Sequence, residues 1–309
     1  MEDKTPDLRV RIGSLALKNP VLTASGTFGY GQEFAPLFDP ALLGGIIVKG
    51  LSLKRRAGNP PPRLVETPCG MLNAIGLANV GLDEFLEEKL PWLRALDTVV
   101  IVNIYAHSVE EFQALAKSFR GVDGVDALEV NISCPNVNQG GVAFGRDAAA
   151  SALVTESVAA NFDGPVIVKL SPNVTDVREI ARAVEDSGAT AVSLINTLTG
   201  MVVDVDSRRP VLANVTGGLS GPAIRPVAVR MVHEVVQAVK IPVIGIGGIV
   251  KARDALEFLI TGACAVEVGT ANFMDPLASL KIVEGLRTYC VKNGIGSLGE
   301  IVGTLKTNG

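Results

Sequence analysis

The stretch PVIVKLSPNVTDVREIARAVEDSGATAVSLINT, residues 165–197, contains the unit from which the fold is predicted. It begins and ends with short apolar runs, 165–171 and 191–197, which lack the alternation of a half-buried strand. Such runs are typical of parallel strands that are covered on both faces. The segment 174–188 between them has helical periodicity. The stretch is therefore predicted to form a strand, a helix and a second strand parallel to the first.

The same unit recurs along most of the chain. Apolar runs predict eight strands, at 20–26, 45–50, 98–104, 127–133, 165–171, 191–197, 242–248 and 265–271. Helical periodicity is found at 82–96, 108–119, 146–162, 174–188, 223–239, 251–262 and 276–290. This alternation, over roughly 250 residues, favours a closed (β/α)₈ barrel over an open sheet. Because no linker or repeat interrupts it, residues 1–309 are predicted to form one domain.

Two segments do not fit the alternation. Residues 8–20 resemble a β-hairpin ahead of the first strand, and we expect this hairpin to plug the N-terminal mouth of the barrel. Residues 51–81, after the second strand, are rich in proline and glycine and have no helical period. Long loops in compact domains are usually functional, so this segment is expected to lie over the active face as a candidate lid. The segment 134–145 is a second candidate lid.

Composition excludes several classes of function. The net charge is −4 and no basic run occurs, which disfavours nucleic acid and anionic membranes as partners. The four cysteines are too far apart for a metal knuckle or a disulfide framework, which fits a reducing cytoplasm, and no metal site is predicted. The N-terminus is charged, and no apolar run approaches the ~18 residues needed to span a bilayer. A soluble cytoplasmic protein is expected.

Polar and glycine residues are concentrated at the C-terminal ends of the predicted strands, where barrels of this class place their chemistry. They are Ser25, Lys49, Asn103, Asn131, Cys134, Lys169, Asn196, Thr197, Gly247, Gly248, Gly269 and Thr270. Buried amides and ammonium groups are costly unless they are partnered. Their convergence on one opening predicts a polar ligand.

The last two strands indicate what kind of ligand this is. GIGG and VGT place glycine N–H groups where barrels commonly bind phosphate, and a Cβ there would hold the phosphate oxygens away. Either pair alone is equally compatible with a tight turn, whereas both together favour phosphate. Val250 breaks the GxGxxG pattern, so a dinucleotide fold is not indicated. Lys49 and Lys169 are predicted to be inward cations that suit a reduced flavin or a substrate carboxylate.

Cys134 lies in EVNISCPNVNQGG, residues 129–141, directly after a predicted strand. A cysteine at a strand end is most often an inert small hydrophobe. Here Pro135 ends the strand, and Asn131 and Asn136 supply donors and acceptors suited to an amide-rich substrate. The thiolate can then act as a general base. The histidines are weaker candidates: His107 follows the third strand, and His233 lies within a predicted helix.

Several stretches together resemble the dihydroorotate dehydrogenases, and specifically their class 1B catalytic subunits. The stretches are NAIGLANVG (73–81), EVNISCPNVNQGGVAFGRD (129–147), VIVKLSPN (166–173), SLINTLTGM (193–201), GGLSGPAIRP (217–226), GIGGI (245–249) and VGTA (268–271). Cysteine at position 134 resembles class 1, because class 2 enzymes have serine there and a membrane-associating N-terminal extension.

The resemblance implies an FMN site and a dihydroorotate site. The implied FMN contacts are Ser25, Lys49, Gly50, Asn103, Asn131, Lys169, Ile195, Gly221, Gly247, Gly248, Gly269 and Thr270. The implied substrate contacts are Lys49, Asn73, Ala74, Ile75, Gly76, Leu77, Asn131, Asn136, Asn196 and Thr197. The resemblance implies Cys134 as the base that removes the C5 proton while hydride leaves C6.

Class 1B enzymes pass electrons to NAD⁺ through a partner subunit with FAD and a [2Fe–2S] cluster. The scattered cysteines here cannot hold such a cluster, so the iron is expected in the partner. The resemblance also implies a homodimer of catalytic subunits within a heterotetramer. The alternatives are a fumarate-dependent class 1A enzyme, another FMN-dependent dihydropyrimidine oxidoreductase, and a non-catalytic flavin- or phosphate-binding barrel. A tRNA-modifying relative would need a basic surface.

Overall fold

The computed structural model describes residues 5–133 and 144–307. The strands of these residues are β1 (Val10–Ile12), β2 (Leu15–Leu17), β3 (Val21–Thr23), β4 (Gly45–Ile47), β5 (Leu64–Thr67), β6 (Gly70–Asn73), β7 (Val99–Ile104), β8 (Ala127–Asn131), β9 (Val166–Lys169), β10 (Ala191–Leu194), β11 (Leu198–Gly200), β12 (Val203–Asp204), β13 (Arg209–Pro210), β14 (Gly217–Ser220), β15 (Val243–Ile246) and β16 (Ala265–Val268). Their helices are α1 (Leu82–Glu84), α2 (Leu90–Arg94), α3 (Val109–Phe119), α4 (Ala148–Ala159), α5 (Val177–Asp186), α6 (Arg225–Val236), α7 (Ala252–Thr261), α8 (Ala271–Met274) and α9 (Ala278–Lys292).

The predicted (β/α)₈ barrel is confirmed. Strands β3, β4, β7, β8, β9, β10, β15 and β16 follow one another around a closed parallel barrel, which the β16–β3 pairing completes. Each barrel strand lies within its predicted run but is shorter; the run 165–171, for example, contains only Val166–Lys169 as strand. The residues left over at the C-terminal ends belong to the loops that form the site. Whether residues 1–309 are one domain stays a prediction.

The helices cover the outside of the barrel with one apolar face each. In α5, Val177, Ile180, Ala181 and Val184 are buried, which is the spacing of a single helix face. The side chain of Asp176 accepts a hydrogen bond from the N–H of Arg178 and so caps the first turn. The helix begins at this cap rather than at 174, where periodicity alone places it.

The N-terminal hairpin closes the bottom of the barrel, as predicted. Strands β1 and β2 pair antiparallel, and Ile12, Leu15 and Leu17 are buried. These side chains pack against a layer of one residue from each barrel strand: Leu22, Ile47, Ile101, Ala127, Ile167, Ala191, Ile244 and Ala265. The hairpin therefore supplies the apolar floor that an open barrel end would otherwise expose to water.

The prediction of an unpatterned loop at 51–81 was wrong in part. Strands β5 and β6 within it form a hairpin, and β14 and β11 extend this hairpin into a four-stranded antiparallel sheet in the order β11–β14–β6–β5. Each strand is only three or four residues long and several contain glycine, so local alternation is too brief to detect. The sheet forms because two segments distant in sequence, 64–73 and 198–220, pair with each other through β6 and β14.

One helical prediction also needs correction. The predicted helix 82–96 is divided into α1, a π-helical segment Phe85–Lys89, and α2. Pro91 in the first turn of α2 has no N–H to give to the preceding turn. Between β3 and β4, where no helix was predicted, the described residues contain a short 3₁₀ turn, Pro40–Leu42. Within the ranges described, no helix is long and apolar enough to cross a membrane.

Candidate active site

A cavity of about 510 Å³ opens at the C-terminal ends of the barrel strands. Residues at or just after the barrel strand ends line it, and β6 and β14 of the small sheet contribute Met71, Asn73 and Ser220. The predicted site residues that line this cavity are Ser25, Lys49, Gly50, Asn73, Ile75, Gly76, Leu77, Asn131, Lys169, Ile195, Asn196, Thr197, Gly221, Gly247, Gly248, Gly269 and Thr270. The structure thus brings together side chains that the sequence spreads over 246 positions, from residue 25 to residue 270.

Two predicted residues lie just outside the lining, and two lie outside the described residues. Asn103 is fully buried beneath Gly50, and a Cβ on Gly50 would lie 2.8 Å from its Oδ1. Ala74 is also fully buried, against Leu72 and Leu212. Cys134 and Asn136 belong to 134–143, which the structure does not describe. Their assignments stay predictions.

One wall of the cavity presents backbone donors. Among the residues described, the N–H groups of Gly247, Gly248, Gly269 and Thr270 donate to no protein acceptor. Gly248 has φ +70°, and a Cβ there would lie 2.7 Å from Arg225 Cβ and 2.9 Å from Gly221 O. Only glycine fits this position, since the conformation and the packing both exclude a side chain. Free N–H groups on closely spaced turns suit an anion such as a phosphate.

Lys49 places an ammonium group at the same cavity. Burial lowers the pKa of Lys49 from its ordinary value, and the nearby Arg63 lowers it further, although Glu33 acts in the opposite direction. No carboxylate among the described residues forms an ion pair with Lys49. A partly buried cation without a protein counter-ion fits an anionic group supplied by a ligand.

A series of hydrogen bonds links the side-chain amides at the end of β8 and after β10. Asn196 Nδ2 donates to Ser133 Oγ at 2.6 Å, and Ser133 Oγ donates to Asn131 Oδ1 at 3.0 Å. The N–H of Thr197 donates to Asn196 Oδ1 at 2.8 Å. These hydrogen bonds fix the amides of Asn131, on β8, and Asn196, just after β10, to the hydroxyl of Ser133. Donors and acceptors alternate along this series, as recognition of an amide-containing ring requires.

Comparison with known proteins identifies the family. The family model for dihydroorotate dehydrogenase matches residues 7–289. The chain belongs to this family. It is 60% identical over 302 residues to the dihydroorotate dehydrogenase B (NAD(+)) catalytic subunit of Geotalea uraniireducens, which covers 98% of this chain and 99% of the relative. The subunit of the same name from Desulforamulus reducens is 57% identical over 297 residues, 96% of this chain and 98% of the relative.

A solved structure supports the fold independently. The dihydroorotate dehydrogenase of Eimeria tenella superposes with a TM-score of 0.79 at 21% sequence identity, over 98% of this chain and 90% of that one. At this identity the likeness concerns the barrel alone. The resemblance drawn from the sequence motifs is confirmed at the level of the family.

Some cavity residues of this dihydroorotate dehydrogenase family member were not predicted. Among them are Glu33, Phe34, Met71, Ser220 and Phe273. They lie on the connection after β3, on the small sheet and on α8, so no strand-end pattern points to them. His107 was a weak candidate; it is not among the lining residues, and its ring contacts Arg56 at 2.8 Å and the Tyr105 hydroxyl at 3.1 Å. Within the described ranges, no group of three or more His, Cys, Asp and Glu is placed to hold a metal.

Proposed function

We propose that this protein oxidises dihydroorotate to orotate in pyrimidine biosynthesis, with FMN as its cofactor, as the catalytic subunit of a class 1B enzyme. One observation supports this most directly. The unpaired N–H groups after β15 and β16, the Lys49 ammonium and the amides of Asn131 and Asn196 all face one cavity. Phosphate, carboxylate and ring amide groups each find a matching partner there.

The residues present fit FMN. Gly247, Gly248, Gly269 and Thr270 would hold its phosphate through their free N–H groups. Lys169 lies at the end of β9 and lines the cavity, where it would meet the polar edge of the ring system. The remaining proposed contacts are Ser25, Lys49, Gly50, Asn103, Asn131 and Gly221. When bound, FMN supplies the acceptor for a hydride.

Dihydroorotate would lie over the same cavity. Lys49 would bind its carboxylate, and the amides of Asn73, Asn131 and Asn196 would bind the ring. Thr197, Asn136 and the segment 74–77 complete the proposed contacts. Asn73 is itself held by a hydrogen bond from its Nδ2 to Gly218 O at 3.4 Å, so the small sheet orients one of these amides. The substrate site therefore depends on both the barrel and the sheet.

The proton that leaves C5 is assigned to Cys134. The C5–H bond breaks with its electrons forming the C5=C6 double bond, the proton passes to the Cys134 thiolate, and the C6 hydrogen leaves with its electron pair as the hydride. This assignment depends on the sequence, because residue 134 lies outside the described part of the chain. The chain places it directly after Ser133, whose hydroxyl is fixed between two site amides.

The test is anaerobic reduction of the purified protein by dihydroorotate. We expect flavin absorbance to bleach in the wild-type protein. Cys134→Ala should retain FMN and slow the bleaching by about 10²- to 10⁴-fold, the usual magnitude of a general-base contribution. The matched control is Cys290→Ala, a buried cysteine on α9 that does not line the cavity. Bleaching of Cys134→Ala at the wild-type rate would contradict the assignment, and a protein without flavin would contradict the proposed function.

The electron acceptor is decided by a second experiment. The relatives are named as catalytic subunits of an NAD(+) enzyme. The term "catalytic subunit" supports a partner subunit for this chain. We propose that the partner contains FAD and a [2Fe–2S] cluster and that the catalytic subunit is a homodimer within a heterotetramer. NADH should then form only when the partner is added. Turnover with fumarate and no partner would instead indicate a class 1A enzyme.

A further inference from the structure

Three ionisable side chains are buried together inside the barrel, below the cavity. They are Glu129 on β8, Lys169 on β9 and Glu267 on β16. Both glutamates are fully buried and Lys169 is 5% exposed. Lys169 Nζ lies 3.0 Å from Glu267 Oε2 and 3.6 Å from Glu129 Oε2. We call these three residues the buried triad. The proposed reaction uses Lys169 but assigns no role to either glutamate.

The charges of the buried triad do not balance if every member is ionised. Two carboxylates would then face one ammonium group, and an uncompensated buried charge is strongly destabilising. The residues paired with the triad on flanking strands are all uncharged: Leu22, Asn103, Asn131, Ile167, Ser193 and Ile246. Among the described residues, no charged group outside the triad shifts the pKa of any member. One retained proton would make the triad neutral.

The hydrogen bonds indicate which carboxyl group retains the proton. Glu129 accepts from Ser193 Oγ at 2.7 Å and from Asn103 Nδ2 at 2.5 Å, so both its oxygens are occupied as acceptors. Glu267 Oε2 accepts from Lys169, whereas Glu267 Oε1 has no donor among the described residues. A proton on Glu267 fits this arrangement, because the two donors to Glu129 favour its carboxylate form and Glu267 Oε1 has no donor.

The direction of each pKa shift agrees with this geometry. Burial raises the pKa of Glu267 well above its ordinary value, and the Glu129 carboxylate raises it further. Burial also opposes ionisation of Glu129, but Lys169 and the hydrogen-bond donors lower its pKa on balance. Burial disfavours the ammonium form of Lys169, yet the two glutamates raise its pKa overall. The triad is then Glu129⁻, Lys169⁺ and neutral Glu267.

We propose that Glu129 and Glu267 hold one proton between them and act as positioning residues for Lys169. Together they provide a single negative charge, which keeps Lys169 cationic. The cationic Lys169 in turn sets the midpoint potential of the flavin. The inference rests on the proposed function, because it requires FMN next to Lys169. Either glutamate alone can supply the single negative charge. Loss of both removes the charges that keep the buried Lys169 protonated, so the neutral amine no longer favours the anionic reduced flavin and the potential becomes more negative.

Infrared difference spectroscopy of the apo-protein tests the shared proton without flavin. At neutral pH, the wild-type protein should show the carbonyl stretch of a buried protonated carboxylic acid. Glu267→Gln removes the acid, and Glu129→Gln should make Glu267 ionise against Lys169, so each single variant should lose the band. Glu156→Gln, an exposed glutamate on α4, is the matched control and should retain it. Absence of the band in wild type, or its survival in Glu129→Gln, would overturn the shared proton.

The flavin midpoint potential of the holoenzyme tests the consequence. Each single Gln variant should change the ratio of reduced to oxidised flavin at a fixed potential by less than about threefold, whereas the double variant should lower it about tenfold or more, about 30 mV for a two-electron couple. The proposal would be overturned if each single variant changed this flavin ratio tenfold and the two changes added in the double variant. An unchanged ratio in the double variant would also overturn it. If the double variant does not fold, the infrared bands and single variants decide the question. Failure to bind FMN would contradict the proposed function and leave the infrared result standing.

Discussion

At the scale of single residues, Gly248 links backbone conformation to anion binding. Its φ is +70°, its N–H donates to no acceptor among the described residues, and the space for a Cβ is taken by Arg225 and by the Gly221 carbonyl. A side chain at this position would displace the loop that supplies the free donors. Glycine at position 248 is therefore explained by ligand binding as well as by backbone conformation.

Replacing Gly248 with alanine should weaken FMN binding. Gly121 has nearly the same φ, +69°, but no atom lies within 4 Å of the position that a Cβ would take there, so Gly121→Ala is a matched control. Gly121→Ala should lose about 1 kcal/mol of stability through the left-handed conformation. Gly248→Ala should lose more, because its Cβ also meets Arg225 and the Gly221 carbonyl. Only Gly248→Ala should lose flavin on dialysis, measured by absorbance and fluorescence titration. Equal flavin affinity in the two variants would contradict the phosphate assignment.

Lys49 should show a trade-off between stability and substrate binding. Because burial lowers its folded-state pKa below the ordinary 10.5, the buried ammonium costs free energy at every pH below that folded-state pKa. The unfolded chain binds more protons between the two pKa values, so stability is recovered as pH rises through the folded-state pKa towards 10.5.

Lys49→Met should therefore stabilise the apo-protein at neutral pH and weaken dihydroorotate binding. The expected rise in KM is about 10- to 100-fold, the magnitude of a lost charged hydrogen bond. The alkaline gain in unfolding free energy should also be smaller than in wild type. The control is Lys54→Met, which replaces an exposed lysine five residues after Lys49 and should change neither KM nor the unfolding free energy. Steady-state kinetics and denaturant titration at several pH values measure both, and an unchanged KM in Lys49→Met would contradict the role.

At the scale of elements, local signals were reliable where an element buries one continuous face. Helix α5 and the barrel strands follow directly from periodicity and apolar runs, and the Asp176 cap only adjusts the start of the helix. The small sheet could not be predicted, because β6 pairs with β14 across more than 140 positions and each strand is very short. The stability of the sheet comes from the long-range pairing of β6 with β14 and not from residue alternation within either strand.

The N-terminal hairpin should behave as a stabilising plug that does not take part in the reaction. Ile12 is fully buried in the floor of the barrel, whereas Arg11 on the same strand is exposed. Ile12→Ala should lower the unfolding free energy by about 2–5 kcal/mol through lost packing and a residual cavity. Arg11→Ala should change it little. Chemical denaturation measures the difference, and a marked loss of FMN affinity in folded Ile12→Ala would contradict the separation of plug and site.

At the scale of the whole molecule, the cavity joins residues from nearly every barrel strand. A ligand that binds only the closed barrel stabilises it by mass action, by about 2.7 kcal/mol at a free concentration 100 times Kd. Removal of FMN should therefore lower the melting temperature, and returning FMN should raise it in proportion to the logarithm of its concentration. Calorimetry across an FMN series measures this dependence. A melting temperature that is independent of FMN would contradict binding at the strand ends.

The sequence by itself determined the barrel, the hairpin plug and the chemical character of the strand ends. This is because buried parallel strands and amphipathic helices impose composition and period on consecutive residues, and because barrel strands deliver their last residues to one face. Only the tertiary structure decided which residues surround Lys169. Glu129 and Glu267 are 138 positions apart, and each interrupts a largely apolar strand. Barrel closure brings both carboxyl groups to one ammonium, and burial makes their charges interdependent.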